Sequence, residues 1–202
     1  MNRTVAKVIS TAFNPLLMPT YALLMLFATN TYFSLLPFEA KKAIFLTTFI
    51  STCLLPLAFI PLFIYQNLIR NIEMQNKKER LVPFSVITIL YFLAYFLMAQ
   101  MGVPPTILKI ILAGGILTLL IVFITIWWKI SVHMAGIGAL AAAVYSFAVI
   151  LRADFIVFLL VTLFIAGILG TARMVLKSHS PAEIYTGFGL GALVLALTYV
   201  IF

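Results

Sequence analysis

Long apolar runs alternate with short polar breaks along almost the whole chain, and their lengths predict membrane-spanning helices. About 20 mostly apolar residues are needed to cross a bilayer as a helix. No ten-residue alternating pattern points to barrel strands. The apolar runs cover approximately 14–36, 42–65, 83–101, 105–128, 131–151, 154–172 and 181–202.

Six to seven spans are expected, because two of these runs are irregular. The first contains Pro15 and Pro19, which predict a broken or re-entrant start because proline interrupts a helix. The third is short for a bilayer. In lipid, the backbone of a spanning segment must satisfy its own hydrogen bonds, which favours helices. The sequence therefore predicts an all-α integral membrane protein, with residues 1–202 forming one transmembrane domain.

The composition supports the same class of protein. Of the 202 residues, 64% are hydrophobic and 9% are charged, whereas a soluble domain carries about 25% charged residues. The single cysteine, Cys53, lies in an apolar run, and we expect a buried, inert thiol. The N-terminal stretch MNRTVAKVIS lacks a small-residue cleavage site, so we expect it to be the start of the mature protein.

Small residues recur at helix-contact spacing near the C-terminus. Gly187 and Gly191 form a GxxxG pattern, and Ala135, Ala139 and Ala143 form a similar stripe in the fifth run. Small residues at this spacing let two membrane helices approach closely. The pattern therefore predicts close packing between helices.

Basic residues and both histidines gather at one end of the predicted bundle. With seven spans, the N-terminus and the connections at 67–82, 128–131 and 172–180 share one face. Buried ionisable groups cost about 2.5–3.5 kcal/mol at a helix centre, so a cluster at the membrane boundary suggests function. The alternative is the ordinary excess of basic residues on a cytoplasmic face. The ionisable residues on this face include Arg3, Lys7, Arg70, Lys77, Lys78, Arg80, Lys129, His133, Arg173, Lys177 and His179.

The residue types in this cluster suit phosphoryl transfer. Fixed cations stabilise the charge on phosphoryl oxygens in the transition state. One histidine can act as nucleophile when a carboxylate orients its ring, and a second can protonate the departing oxygen. A zinc site made of both histidines and Glu183 is the weaker alternative, since HExxH is absent and neighbouring cations oppose a dication.

The order of these residues resembles the type 2 phosphatidic acid phosphatase (PAP2) superfamily of membrane lipid phosphatases. That family carries three motifs: Lys-x6-Arg-Pro, Pro-Ser-Gly-His and Ser-Arg-x5-His-x3-Asp. The third matches ARMVLKSHSPAE, with Arg173, His179 and Glu183 at the charged positions. The second matches ISVH in part, with Ser131 and His133, and the first matches NKKERLVPF loosely. The resemblance covers roughly 77–191.

The sequence departs from the family pattern at several positions. Ala172 replaces a serine, Glu183 replaces an aspartate, and Val132 replaces the glycine of the second motif. A glycine there lets the backbone approach the phosphate, which a β-branched residue resists. The Arg-Pro pair is absent, and Arg80 is the nearest arginine to Pro83.

The resemblance implies a role for each matching residue. His179 would be the nucleophile and form a phosphohistidine, Glu183 would orient it, and His133 would be the general acid. The phosphate-binding residues would be Arg173, Arg80, Lys77 or Lys78, and Ser131.

The implied protein is a metal-independent phosphatase of lipid phosphates or diphosphates, with a PAP2-like helical core and no cofactor. Its substrate would be phosphatidic acid, phosphatidylglycerophosphate, an isoprenyl diphosphate or lipid A, and no nucleic acid is expected as partner. The family and chain length suggest the bacterial inner (cytoplasmic) membrane.

Two alternatives stay open. Val132 and the incomplete first motif suggest a degenerate relative that binds, moves or scaffolds lipid headgroups without hydrolysing them. Ser180, Pro181 and Glu183 also have the spacing of a helix capping box, which would give Glu183 a structural role. The capping and catalytic roles of Glu183 are compatible.

Overall fold

The computed structural model describes residues 1–71, 74 and 76–202, and this part of the chain is helical with no strand. Its α-helices are α1 (Arg3–Ala12), α2 (Met18–Ala28), α3 (Phe38–Phe49), α4 (Leu55–Tyr65), α5 (Leu81–Gln100), α6 (Pro105–Trp127), α7 (Val132–Leu151), α8 (Ile156–Val175) and α9 (Pro181–Ile201).

Seven helical segments are long and apolar enough to cross a membrane. The predicted all-α membrane bundle is confirmed, with seven candidate spans rather than six. The segments are Arg3–Ala28, Phe38–Tyr65, Lys77–Gln100, Pro105–Trp127, Val132–Leu151, Ile156–Val175 and Pro181–Ile201.

The first span is broken, but it begins earlier than predicted. Helix α1 ends at Ala12, and Pro15–Leu17 forms a single 3-10 turn before α2. The Asn14 side chain caps this turn, since its oxygen accepts from the Leu16 N–H at 3.0 Å. The apolar run predicted from the sequence does not include α1, because Arg3, Lys7 and several serine and threonine residues interrupt the apolar residues of this helix.

The second span contains a wide helical turn at Ile50–Leu54, between α3 and α4. Pro56 follows it and has no N–H to donate to the preceding turn, and such breaks commonly produce π-type turns. The Thr52 hydroxyl lies 2.9 Å from the Thr48 carbonyl oxygen and 3.3 Å from that of Leu16, so it links this turn to the first span. Cys53 is buried, with a free thiol, as expected.

Helices α7 and α9 pack backbone to backbone, as the small residues predict. A side chain at Gly191 would collide with the Ala135 carbonyl oxygen, and one at Gly138 would collide with the carbonyl of Phe188. The Ser131 N–H donates to the Glu183 carbonyl at 3.0 Å. The starts of both helices are therefore fixed beside each other.

Candidate active site

Four segments distant in sequence meet at one end of the bundle, around a cavity of about 430 Å³. They are the starts of α7 and α9, the end of α8, and the 3-10 turn Lys77–Arg80 that leads into α5. At this end the cavity is lined by Arg80, His133, Arg173 and His179 from these four segments, and also by Lys7 and Ser10 of α1.

His179 and Glu183 form a close pair at the start of α9. The Nδ1 atom of His179 lies 2.8 Å from Oε2 of Glu183. Because a carboxylate can only accept, Nδ1 carries the proton when the imidazole is neutral, and Nε2 carries the lone pair. This is the tautomer that a histidine nucleophile requires.

The same carboxylate also completes a helix cap. Oε2 of Glu183 accepts from the Ser180 N–H at 3.2 Å, and the Ser180 hydroxyl oxygen accepts from the Glu183 N–H at 3.4 Å. These contacts form a capping box. Glu183 therefore caps α9 and orients His179 with one oxygen atom.

The surroundings of His179 keep its ring neutral. Burial, followed by the positive charges of Arg80, Arg173 and Lys129, lowers the pKa of His179 to about 3. The nearby Lys129 backbone acts in the opposite direction and is outweighed. At neutral pH the contact with Glu183 is therefore a hydrogen bond from a neutral ring rather than an ion pair.

Arg80 is held by backbone carbonyls while it lines the cavity. Its Nε donates to the Met74 carbonyl oxygen at 3.2 Å, and Nη1 donates to that of Ile130 at 3.1 Å. The residue is only 5% exposed. Two such bonds fix the plane of the guanidinium group, and a planar fork of donors suits phosphate oxygens.

His133 lies in the first turn of α7 and contacts α1. Its Nε2 atom is 3.1 Å from the carbonyl oxygen of Ser10. Because the carbonyl can only accept, Nε2 is the donor in this contact, which fixes the opposite tautomer from that of His179. The two histidines that line the cavity therefore differ in the nitrogen that carries the proton.

Four predicted site residues lie outside the cavity lining, and of these only Glu183 contacts a lining residue of the site, His179. The ammonium group of Lys77 donates to the carbonyl oxygens of Ile126 at 2.9 Å and Trp127 at 3.3 Å, at the end of α6. Lys78 is exposed. Ser131 is fully buried, and its hydroxyl has no hydrogen-bond partner among the described residues. The structure brings together the predicted site residues His133, His179, Glu183, Arg173 and Arg80.

Ser10 lies at the site although no sequence motif points to it. Ser10 is 7% exposed, and its hydroxyl has no hydrogen-bond partner in the described part of the chain. Its neighbour Lys7 lines the same end of the cavity. The spacing of Ala6, Ile9 and Ser10 on one face of a short helix was the available signal for this segment.

The described residues contain no group of three His, Cys, Asp or Glu side chains that could hold a metal ion. The chain matches no protein-family model, no curated protein and no solved structure. The fold and the site thus define an all-α membrane protein in which a buried histidine, paired with a partly buried carboxylate, lies at one cavity with two arginines. Membership of the PAP2 superfamily stays a prediction.

Proposed function

We propose that this protein is a membrane-embedded phosphatase of lipid phosphates or diphosphates, of the PAP2 type. The observation that carries the proposal is the 2.8 Å contact of His179 with Glu183, at a cavity that His133 and both arginines also line. A neutral, carboxylate-oriented imidazole beside fixed cations is the arrangement that nucleophilic attack on a phosphoryl group requires.

In the first step, the lone pair on Nε2 of His179 attacks phosphorus, and a nitrogen–phosphorus bond forms. The bond from phosphorus to the lipid oxygen breaks, and its electron pair goes to that oxygen. Glu183 stabilises the imidazolium that develops, while Arg80 and Arg173 bind the phosphoryl oxygens. In this proposal, catalysis is electrostatic and needs no metal.

His133, protonated on both ring nitrogens when the negatively charged phosphate is bound beside it, supplies the Nε2 proton to the departing lipid oxygen and is left neutral. Its Nε2–H points to the Ser10 carbonyl, so the lipid oxygen takes the place of that carbonyl as acceptor. In the second step a water molecule attacks the phosphohistidine, and His133 takes one proton from the water. The nitrogen–phosphorus bond breaks, and phosphate leaves with the His179 ring neutral again.

In this proposal, the protein lies in the bacterial inner membrane and acts on a phosphorylated lipid. Phosphatidic acid, phosphatidylglycerophosphate, an isoprenyl diphosphate and lipid A are the lipids to compare. An all-helical bundle suits a substrate that reaches the site from within the bilayer.

Phosphate release from this lipid panel by purified protein in nanodiscs tests the proposal. We expect His179→Ala to lower the rate by at least about 10⁴-fold, because nothing replaces the nucleophile. We expect Arg173→Ala to lower it by about 10²–10³-fold, as for the loss of one transition-state donor. The control is Lys42→Ala, at an exposed residue of α3. The assignment is wrong if the protein releases phosphate and both site variants keep the full rate.

A second candidate function is lipid-headgroup binding or movement without hydrolysis. It is favoured by Val132, which lines the cavity where the family has a glycine. Rapid quench with a ³²P-labelled lipid phosphate separates the two functions. A phosphohistidine at residue 179 supports the phosphatase, and saturable binding without a covalent intermediate supports the alternative.

A further inference from the structure

Beyond its polar end, the cavity continues between helices as an apolar channel. Side chains of α2, α4, α5, α6, α7 and α9 line it. Its lining changes from arginine and histidine at one end to Ile87, Ile110 and Leu140 further in. One cavity therefore joins a cationic end to a hydrocarbon-like interior.

The channel extends across at least one leaflet of the bilayer. Arg80 and Tyr91 both line the cavity, and Tyr91 lies eleven positions after Arg80, a rise of about 16 Å along the helix. On α7, His133 and Ala143 both line it, and they are ten positions apart, a rise of about 15 Å. The hydrocarbon core of a bilayer is about 30 Å thick, so the channel extends at least to the middle of the membrane. Ile110 also lines it, about 25 Å along α6 from the end of that helix at Trp127.

The volume suits one hydrocarbon chain. About 430 Å³ lies near the lower end of the 300–1,000 Å³ that holds a single drug-sized ligand. The phosphate end takes part of that volume, and the rest does not hold two chains of leaflet length.

The far end of the channel is formed by Tyr91 and Gly114. A side chain at Gly114 would collide with the Tyr91 ring, so the glycine lets this ring lie against α6. Both residues line the cavity, as does Ala143. Ile110, one turn further along α6, also lines the cavity here. We call Tyr91, Gly114 and Ala143 the channel floor.

The channel has a lipid-facing side between the first span and α4. Pro15 and Leu16 line it from the 3-10 turn, and Leu57 and Ile60 line it from α4. Leu57 is also 39% exposed, so the wall of the channel is continuous with the outer surface of the bundle. A chain can enter sideways here without leaving the bilayer.

We propose that the cavity binds a phosphorylated lipid by a single hydrocarbon chain, which ends at the channel floor. The phosphate lies at the cationic end, and this part rests on the proposed function. Isoprenyl phosphates and lipids with one alkyl or acyl chain fit this description. A lipid with two chains would have to leave its second chain outside, against α4, and should bind more weakly than its one-chain counterpart.

Photo-crosslinking tests this proposal without requiring hydrolysis. The probe is an n-alkyl monophosphate with a diazirine at the chain end, in phosphatidylcholine nanodiscs with the His179→Ala variant. We expect labelling at Tyr91, Gly114 and Ala143. The matching alkyl alcohol should label about 10- to 100-fold less, because charge-assisted hydrogen bonds to phosphate contribute about 1.5–3 kcal/mol.

Two substitutions should move the chain-length limit in opposite directions. Ala143→Leu fills the floor and should weaken labelling by the longest accepted chain about tenfold, as overpacking does elsewhere. Tyr91→Ala should admit longer chains. The control is Tyr145→Ala on α7, since Tyr145 is 61% exposed and lies outside the cavity lining.

The outcomes separate this inference from the proposed function. If labels fall on lipid-facing residues such as Tyr145, or if neither floor variant changes the length limit, the single-chain channel is wrong even when the wild-type protein releases phosphate. If the floor is labelled but wild-type protein releases no phosphate from any lipid, the channel stands and the phosphatase proposal fails. A two-chain lipid phosphate that displaces the probe as well as its one-chain counterpart also overturns the inference.

Discussion

The two halves of the chain build helices in different ways. Helices α1 to α4 are short pieces of 10, 11, 12 and 11 residues, separated by 3-10 and π-type turns. Helices α5 to α9 are continuous, with 20, 23, 20, 20 and 21 residues. We call these the broken half and the continuous half.

The positions of proline account for much of this difference. In the continuous half, Pro105 and Pro181 occupy the first position of a helix, where a missing N–H has no effect. In the broken half, Pro61 lies inside α4, and Pro15 begins the turn after α1. Proline at such positions interrupts the backbone hydrogen bonds of a helix.

The division corresponds to a division of roles at the candidate site. The proposed nucleophile, its carboxylate, the general acid and both arginines lie at the ends of the continuous helices or in the turns that lead into them. The broken half adds Ser10 and Lys7 and forms the lipid-facing side of the channel. In the proposed function, the continuous half fixes the geometry of the site, and the broken half gives the lipid access to it.

After loss of the His179 nucleophile itself, the largest effect should come from removing the charge of Glu183. Glu183→Gln keeps the size of the side chain but removes the charge that stabilises a positive His179. We expect phosphate release to fall by about 10²–10⁴-fold, similar to the loss of an orienting carboxylate in other histidine-dependent enzymes. The control is Glu39→Gln, since Glu39 is the acidic residue in the first turn of α3. An unchanged rate would limit Glu183 to capping.

The packing of the continuous half can be tested with two glycines of α9. Gly191→Ala places a methyl group against the Ala135 carbonyl, whereas a methyl group at Gly189 meets nothing within 4 Å. We expect Gly191→Ala to lower the free energy of unfolding by about 1–3 kcal/mol. Gly189→Ala should raise it by about 0.5–1 kcal/mol through helix propensity. Thermal unfolding in one detergent measures both, and equal shifts would refute close α7–α9 packing.

The charge state of His179 should depend on Arg80. Removing this cation with Arg80→Gln should raise the pKa of His179 from about 3, because a protonated ring is then less penalised. ¹⁵N-histidine NMR follows the titration, and Arg152→Gln on the opposite face is the control. If the titration of His179 is the same in both variants, Arg80 lies too far from the ring to act on it.

The lowered pKa of His179 also determines how the free energy of unfolding depends on pH. Histidine titrates near 6.5 when unfolded, so the contribution of neutral His179 is fully present above that pH. It decreases as the pH falls from about 6.5 towards 3, because the unfolded chain then binds a proton that the folded site refuses. Arg80→Gln should raise the pH at which this decrease ends.

The smallest effect on the rate should come from substituting Lys7, which belongs to the broken half. Its ammonium group lies at an exposed position beside the cavity. We expect Lys7→Ala to lower the rate with a phosphorylated lipid by less than about tenfold, and this difference should shrink with added salt. The control is Lys42→Ala. A loss as large as that of Arg173→Ala would instead give Lys7 a direct role in phosphate binding.

Much of the continuous half could be predicted from the sequence. Its spans have uninterrupted apolar runs, and their number alone brings the starts of α7 and α9 to the same face as Arg80 and Arg173. The pairing of His179 with Glu183 follows from their spacing, since residues four apart at a helix start are neighbours. In each case, a pattern within a short stretch of sequence was sufficient for the prediction.

The contributions of the broken half could not be predicted in the same way. Helix α1 is too short and too polar to stand out, and the contact of Ser10 with His133 joins residues 123 positions apart. Lys77 has the residue type for phosphate binding, yet it caps α6, because the unpaired carbonyls at that helix end attract a nearby cation. Side-chain direction depends on tertiary contacts that a linear spacing does not contain.

The double use of the Glu183 carboxylate has a consequence for biogenesis. His179 gains its oriented ring only when the first turn of α9 has formed, since one oxygen atom serves both the cap and the imidazole. Among the described helices, α9 is the last to leave the ribosome. A nascent chain with eight helices in the membrane would therefore hold both arginines and His133 but remain inert. The onset of activity would report the insertion of α9.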